Sequence, residues 1–229
     1  MRILAIEFSS PQRSVAVVTV AASGALKGEA EAVESGGIAS KPLAMVDEAL
    51  RLAGLEREQI EYLAVGIGPG SYTGIRTSIA LAQGWQLARS VKLLGISSSE
   101  AIAAEAHAQG VTGEVGVVID AQRGEFYLAV YEIGPSSWRE AQPLRLASVA
   151  EIRAHCKEGA QPIGPEVTTI FPQGRLVFPR AAVLGRLATG RTDFIAGESL
   201  EPIYLRQTTF VKAAPGSSLL ETKATRKQR

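Results

Sequence analysis

Residues 3–7, Ile-Leu-Ala-Ile-Glu, form an apolar run that ends in an acid, and residues 14–18, Ser-Val-Ala-Val-Val, follow after a polar turn. Residues 115–120, Val-Gly-Val-Val-Ile-Asp, and residues 126–130, Phe-Tyr-Leu-Ala-Val, repeat this order about half a chain later. Each pair is typical of a β-hairpin whose first strand carries an acid at its end. The repeat favours an internal duplication, and two unrelated hairpins remain the alternative.

The segments after each hairpin alternate between helical and strand patterns, which is typical of an α/β fold. In the first half we predict a weak strand over 26–33, a helix over 41–53 with Ser40 as N-cap and Gly54 as its end, a strand over 63–67, a helix over 75–89, a strand over 92–95, and a helix from the capping box Ser97–Glu100 to Gly110. In the second half we predict strands over 114–119 and 125–133, a helix after the capping box Ser148–Glu151, a strand at 162–163 and a helix over 179–189.

The duplication divides the chain into two subdomains, residues 1–110 and 111–211, followed by a tail, 212–229. The tail has no apolar period and is predicted to be disordered, as a solvated segment in preference to an RNA-contacting arm. Against one acid, Glu221, it carries five basic residues: Lys212, Lys223, Arg226, Lys227 and Arg229. Because the net charge is only +1, the rest of the chain is mildly acidic, and a basic nucleic-acid-binding fold is not indicated.

Composition places the chain of 229 residues among ordinary globular proteins, with 46% hydrophobic and 21% charged residues. Its one cysteine excludes a scaffold built on internal disulfides. No apolar run reaches the length of about 18 residues that a membrane span needs, and Glu7 interrupts the N-terminus too early for a signal peptide. We therefore expect a soluble, cytoplasmic protein with no membrane partner.

A glycine-rich loop, Gly68-Pro69-Gly70-Ser71-Tyr72-Thr73-Gly74, follows an apolar strand and opens a helix, which is a geometry that suits an anion. It is not a P-loop, because Gly-Lys-Ser/Thr is absent and Arg76 is the nearest cation. A dinucleotide fingerprint also fails, since the glycine spacing is one residue too long. A structural turn and a ligand site both remain open for this loop.

Catalytic groups are sparse in the sequence. The two histidines, His107 and His155, fall in different predicted helices and form no metal-binding pair. Neighbours such as His155 and Cys156 diverge by about 100° on a helix, so they cannot act as a nucleophile pair. Ser71 and Thr73 lack a histidine partner, and capping of the loop is the role that we expect for their hydroxyls. No metal site is predicted.

The helices offer apolar surface instead. Residues 77–88 contain no charge, and this helix and helix 41–53 each carry two apolar stripes. One stripe of each helix can pack on a sheet, while the second stripes either meet within the subdomain or form an interface with a partner.

The sequence resembles a known fold in its duplicated plan and a known family in its motifs. The duplicated plan is similar to the actin-like, ribonuclease H-like (ASKHA) α/β fold with two subdomains. The loop, with the two residues that follow it, resembles the Gly-Pro-Gly-Ser-Phe-Thr-Gly-Leu-Arg signature of the bacterial TsaB (YeaZ) family. Four further blocks resemble that family in the same order: residues 3–9, Gly95–Ala101, Asp120–Tyr127 and Pro202–Arg206.

The resemblance implies a non-catalytic dimerisation subunit of the tRNA N6-adenosine threonylcarbamoyltransferase complex, which makes threonylcarbamoyladenosine next to the anticodon. It implies that the catalytic subunit TsaD holds the metal, and that TsaE and tRNA are further partners. The free chain is a candidate homodimer, with no cofactor of its own and with ATP or ADP as a candidate ligand at a shared interface. The expected interface, with Trp85 as its anchor, comprises Leu43, Met45, Val46, Leu50, Ile79, Leu81 and Trp85.

Departures from the family pattern weaken a nucleotide site at the first hairpin. Glu7 and Phe8 stand where the family has Asp and Thr, and Ile38-Ala39-Ser40-Lys41 replaces Arg-His-Ser-Glu. Glu7, Ser9 and Asp120 are therefore expected to form at most a vestigial nucleotide site. The alternative is a stand-alone ATP-handling enzyme of the actin and sugar-kinase fold that uses Glu7, Asp120 and the glycine loop. A dinucleotide-binding oxidoreductase fits poorly.

Overall fold

The computed structural model describes residues 1–35 and 41–205, which form two five-stranded sheets and five α-helices. The first half comprises β1 (Arg2–Glu7), β2 (Gln12–Val20), β3 (Leu26–Ser35), α1 (Pro42–Ala53), β4 (Tyr62–Gly66), α2 (Tyr72–Ala88), β5 (Lys92–Ile96) and α3 (Ser98–Ala108). The second half comprises β6 (Gly113–Asp120), β7 (Glu125–Ile133), β8 (Trp138–Ser148), α4 (Val149–Lys157), β9 (Gln161–Gly164), β10 (Arg175–Leu176) and α5 (Ala181–Ala188).

The two sheets have the same topology. Their strand orders are β3-β2-β1-β4-β5 and β8-β7-β6-β9-β10, so each strand of one sheet has a counterpart five strands later. In both sheets the first three strands are antiparallel and the last three are parallel. This shared plan confirms the predicted duplication and rules out two unrelated hairpins.

Alternate side chains of the first sheet point to two different cores, as the pleat of a strand requires. Leu4 and Ile6 point into a core that α1 and α2 cover. Ile3 and Ala5 face the other way, into a core that includes α5. Helices α1 and α2 therefore form the outer layer of the first half.

The strands of the two sheets lie on either side of residue 110, but two helices pack across this position. Helix α3 belongs to the first half, but its residues Ile102, Ala103 and Ala106 pack on the second sheet. Helix α5 and the segment after it return to the first sheet, where the nitrogen of Ile195 bonds the oxygen of Leu93 at 3.0 Å. Each half thus contributes a helix to the core of the other.

Several predicted ends of elements change. Helix α2 begins at Tyr72 because Ser71 caps it, and Lys41 holds the N-cap position of α1 without a side-chain cap bond. Ser40 and the tail 212–229 lie outside the described residues. The predicted capping box at Ser97 is wrong, because this hydroxyl contacts Gly68 and Ser99 instead. The capping box at Ser148–Glu151 and the left-handed Gly54 at the end of α1 are confirmed.

Strand β8 is absent from the prediction, because most of its residues are exposed at the sheet edge and its apolar residues do not alternate regularly with polar ones. Among residues 1–35 and 41–205, no helix combines the length and the apolar character that crossing a bilayer requires.

Candidate functional site

The glycine loop lies directly on the turn of the first hairpin. The nitrogen of Ser71 donates a hydrogen bond of 2.7 Å to the backbone oxygen of Ser9. The hydroxyl of Ser71 accepts a bond from the nitrogen of Gly74 at 3.3 Å, so this serine is the N-cap of α2 as expected.

The glycines of the loop are required by this close contact. A Cβ at Gly70 would overlap the oxygen of Ser9, and one at Gly74 would overlap the oxygen of Phe8. Gly68 and Gly70 also have φ values of 90° and 145°, which a side chain would disfavour. Of the two readings left open by the sequence, the structure supports a turn that fastens α2 to the hairpin.

Glu7 lies beneath this loop and is fully buried. Its carboxylate accepts bonds from the nitrogen of Ser9 at 2.7 Å and from the hydroxyl of Ser98, at the start of α3, at 3.0 Å. A Cβ at Gly66 would overlap the same carboxylate. Burial raises the pKa of Glu7, and the bonds from Ser9 and Ser98 oppose that shift. Its inclusion in a vestigial nucleotide site is corrected, because the side chain joins β1, β4 and α3 and does not face a ligand space.

Ser9 and Asp120, the other two members of that predicted site, do face a common space. A cleft of about 560 Å³ lies between the two hairpin turns, and segments of both halves line it. The lining residues are Ser9, Ser10, Pro11, Arg13, Gly70, Ser71, Tyr72, Thr73, Ile119, Asp120, Ala121, Gln122, Tyr127, Pro165, Glu166 and Tyr204.

Two carboxylates lie on the far side of the cleft. Asp120 accepts bonds from the nitrogen and the side-chain amide of Gln122, at 2.7 and 3.0 Å. Burial raises the pKa of the neighbouring Glu166, and the charge of Asp120 raises it further. Both acids also line a smaller apolar pocket of about 270 Å³ beside Phe126 and Phe171. Sequence reasoning missed Glu166, because it follows a four-residue strand and belongs to no motif.

An aromatic cluster contributes Tyr72 and Tyr204 to the lining of the cleft. The guanidinium carbon of Arg76 lies 4.2 Å from the ring centroid of Tyr72 and 5.8 Å from that of Tyr204. The Nε of Arg76 donates a bond of 3.0 Å to the hydroxyl of Tyr204, and the two tyrosine rings stack 6.0 Å apart. This contact joins the start of α2 to the last described residues of the chain, which follow it by 128 positions in the sequence.

The expected partner interface needs correction. Met45, Val46, Leu50 and Ile79 are buried in the core beneath α1 and α2. They present no surface to a partner. Leu81 and Trp85 are half-buried against the same core, and Leu43 is 56% exposed. Within the described structure the Nε1 of Trp85 is buried and has no hydrogen-bond partner.

Between Thr77 and Ala88, the exposed residues of α2 are small or apolar. Arg76, Ala80, Gly84 and Ala88 recur every fourth position on its open face, and Leu87 beside them is 91% exposed. The sequence pattern emphasised the large side chains, so these small residues were missed. The apolar pattern of a helix does not show which of its faces the rest of the chain covers.

Other candidate groups do not converge. His155 lies 3.4 Å from Glu114 on the second sheet, and burial raises the pKa of the Cys156 thiol, which disfavours a reactive thiolate. In the part of the chain that the structure describes, no three His, Cys, Asp or Glu side chains are grouped as a metal site would require.

Known proteins share this architecture. The family profile described as TsaD, tRNA N6-adenosine threonylcarbamoyltransferase, matches residues 39–201. The tRNA threonylcarbamoyladenosine biosynthesis proteins TsaB of Escherichia coli and Haemophilus influenzae are each 31% identical over 193 residues, covering 76% of this chain and 83% and 82% of their own lengths. The structure of YeaZ from Pseudomonas aeruginosa superposes with a TM-score of 0.75 at 23% identity, covering 89% of this chain and 99% of that one. These likenesses give the chain the predicted duplicated actin-like α/β fold.

Proposed function

Because the chain belongs to the TsaB (YeaZ) family, we propose that it is the subunit that binds and organises the catalytic TsaD subunit in tRNA threonylcarbamoyladenosine synthesis. The transfer of the threonylcarbamoyl group to adenosine is then the work of the partner, and this chain supplies a docking surface. The observation that carries the proposal is the exposed face of α2 between Thr77 and Ala88, where the helix carries no charge.

The residues of that face suit a helix of another protein. Ala80, Gly84 and Ala88 lie at intervals of four residues, so their small side chains form one shallow surface along about 12 Å of helix. A Cβ at Gly84 would have no atom within 4 Å, which means that nothing in the described chain covers this position. Small residues allow two helix backbones to approach closely, and Leu87 can enter a pocket on the partner.

Helix α1 extends the surface on the same side of the first sheet. Leu43 and Leu52 are exposed there, and the charges between them are already paired. Arg51 contacts Glu48 at 2.7 Å, and Arg57 contacts Asp47. Since these ion pairs are satisfied within the chain, docking of a partner needs no new counter-charge at this position.

The loop and its surroundings support a structural role for the first half in place of phosphate chemistry. The nitrogen of Ser71, which could face an anion, bonds Ser9, and the carboxylate of Glu7 is held by Ser9 and Ser98. The loop glycines contact the hairpin, where a phosphate-binding loop would leave room for its ligand.

The other partners follow from the same proposal. TsaE and tRNA would be reached through the TsaD complex in the cytoplasm, and ATP or ADP would bind at the shared interface. Without TsaD, the face of α2 would support a homodimer of this chain. The stand-alone ATP-handling enzyme keeps one favourable observation, which is that Ser9 and Asp120 face an open cleft.

Light scattering coupled to size-exclusion chromatography tests the proposal on the chain alone and mixed with TsaD of the same organism. We expect a one-to-one complex that Leu87→Glu abolishes. Leu176→Glu, at an exposed leucine of the second sheet, is the matched control and should leave the complex intact. No complex, together with tight magnesium-ATP binding that Asp120→Ala abolishes, would favour the enzyme instead.

A further inference from the structure

The cluster of Tyr72, Arg76 and Tyr204 carries an inference beyond docking of the catalytic subunit. The residues Tyr72 and Tyr204 are 59% and 44% exposed, although their rings stack on each other and lie beside the guanidinium of Arg76. Large exposed aromatic side chains beside an arginine are the usual platform on which proteins stack unpaired nucleobases.

The charge of Arg76 supports a nucleic-acid partner. Most arginines of the described chain form an ion pair, but Arg76 has no carboxylate within 4.0 Å among residues 1–35 and 41–205. Its one described hydrogen bond uses Nε, which leaves the terminal nitrogens available for a phosphate or a base. The hydrogen bond from Arg76 to Tyr204 raises the pKa of this guanidinium, so its charge is permanent.

The position of the cluster restricts how the nucleic acid would enter. Asp120 and Glu166 lie across the same cleft, where they would repel phosphates but can accept hydrogen bonds from the amino group of adenine or cytosine. The backbone of the nucleic acid must therefore stay outside, near Arg76.

We propose that Tyr72, Tyr204 and Arg76 form a stacking platform for an unpaired base of the tRNA, which enters the mouth of the cleft with its sugar-phosphate backbone outside. Arg76 and Tyr72 of the platform lie about 12 and about 18 Å along α2 from Gly84, the centre of the proposed TsaD surface. A base held here is thus next to the partner. This inference rests on the proposed function only for the choice of tRNA as the ligand.

Fluorescence anisotropy with labelled tRNA tests the platform on the full chain alone, at about 50 mM salt where weak contacts are measurable. Tyr72→Ala and Tyr204→Ala should each weaken binding about tenfold, and Tyr72→Phe, which keeps the ring, should stay within about twofold of the wild type. Arg76→Gln should lower the salt dependence of log Kd by about one charge, whereas the two alanine variants leave it unchanged. A 2-aminopurine base in the anticodon loop should be quenched by the wild type and not by Tyr72→Ala.

Unchanged tRNA affinity in both alanine variants, or no binding by the wild type, overturns the platform. Loss of the TsaD complex in Tyr72→Ala with tRNA affinity retained would assign the cluster to the protein interface and also overturn it. Because complex formation with TsaD is measured separately, failure of the proposed function is distinguishable from failure of the platform.

Discussion

The two halves of the chain place an acid at the same point of the same topology, but only one of these acids is open to solvent. Glu7 ends β1 and is fully buried, while Asp120 ends β6 and faces the cleft. After β4 the first half forms α2, a helix of 17 residues, whereas after β9 the second half forms a 3₁₀ turn, Val167–Thr169. Helix α2 covers the first hairpin, whereas the short 3₁₀ turn leaves the cleft beside the second hairpin open.

This difference shows how one fold separates scaffold from site. In the first half, Ser9 and Ser98 donate hydrogen bonds to the acid, and the loop glycines allow α2 to contact the hairpin closely. In the second half, Asp120 accepts two hydrogen bonds from Gln122 of its own turn and faces the cleft. Substitutions in the first hairpin should therefore change stability, and those in the second should change the properties of the cleft.

The largest effect is expected at Gly74. In Gly74→Ala the new methyl group overlaps the backbone oxygen of Phe8, which cannot move without separating α2 from the hairpin. We expect a loss of about 3 kcal/mol in the free energy of unfolding, measured by urea denaturation. Gly84→Ala, in the same helix but with open space around it, is the control and should gain up to about 1 kcal/mol. Equal effects of the two substitutions would contradict the close contact.

Glu7→Ala against Asp120→Ala compares the two acids directly. Removal of the buried Glu7 leaves Ser9 and Ser98 without their bonds and creates a cavity, so we expect a loss of about 2–4 kcal/mol in unfolding free energy. Asp120→Ala should lose no more than about 1 kcal/mol, because water can replace it. Thermal unfolding of both variants decides the point, and a larger loss for Asp120→Ala would reverse the assignment.

A pH series sharpens the same contrast. Burial raises the pKa of Glu7 above its ordinary 4.5, so the folded protein keeps a proton that the unfolded chain releases. The contribution of Glu7 to stability is therefore complete below about pH 4.5 and is lost as the pH rises through the folded pKa. Glu7→Gln does not titrate, and its stability relative to the wild type should increase over that window. Parallel stability curves for the two proteins would show that Glu7 is not desolvated.

The smallest effect is expected at the two acids that line the cleft, Asp120 and Glu166. A substitution there should change a pKa without a large change in stability. Since the charge of Asp120 adds to burial in raising the pKa of Glu166, Asp120→Asn should lower that pKa towards its ordinary value. Carbon-detected NMR titration of the Glu166 carboxyl measures the shift, with Glu7→Gln as a control that leaves it unchanged. An unchanged pKa of Glu166 in Asp120→Asn would show that the charge of Asp120 does not act on Glu166.

Much of the architecture could be predicted from the sequence, since the repeated hairpin and the alternation of helices and strands depend on local patterns. The exchange of α3 and α5 between the halves could not be predicted, because the sequence of an alanine-rich helix does not show which sheet the helix packs on. Strand β8 was also hidden, as its exposed edge position permits polar residues.

The candidate site was predictable only in part. Ser9, Asp120 and the loop were found because they belong to recognisable motifs. Their roles depended on distances that no pattern contains, such as the contact of Gly74 with Phe8. The interface prediction selected large apolar residues, and the structure buries Met45, Val46, Leu50 and Ile79 while exposing Ala80 and Gly84.

Hydrogen–deuterium exchange of the chain, alone and with TsaD, tests the central claim that α2 is the docking surface. We predict slower exchange in peptides from Tyr72–Ala88 and from α1, with no change in β10 or α4. Protection confined to the second half, with α2 unchanged, would contradict the account.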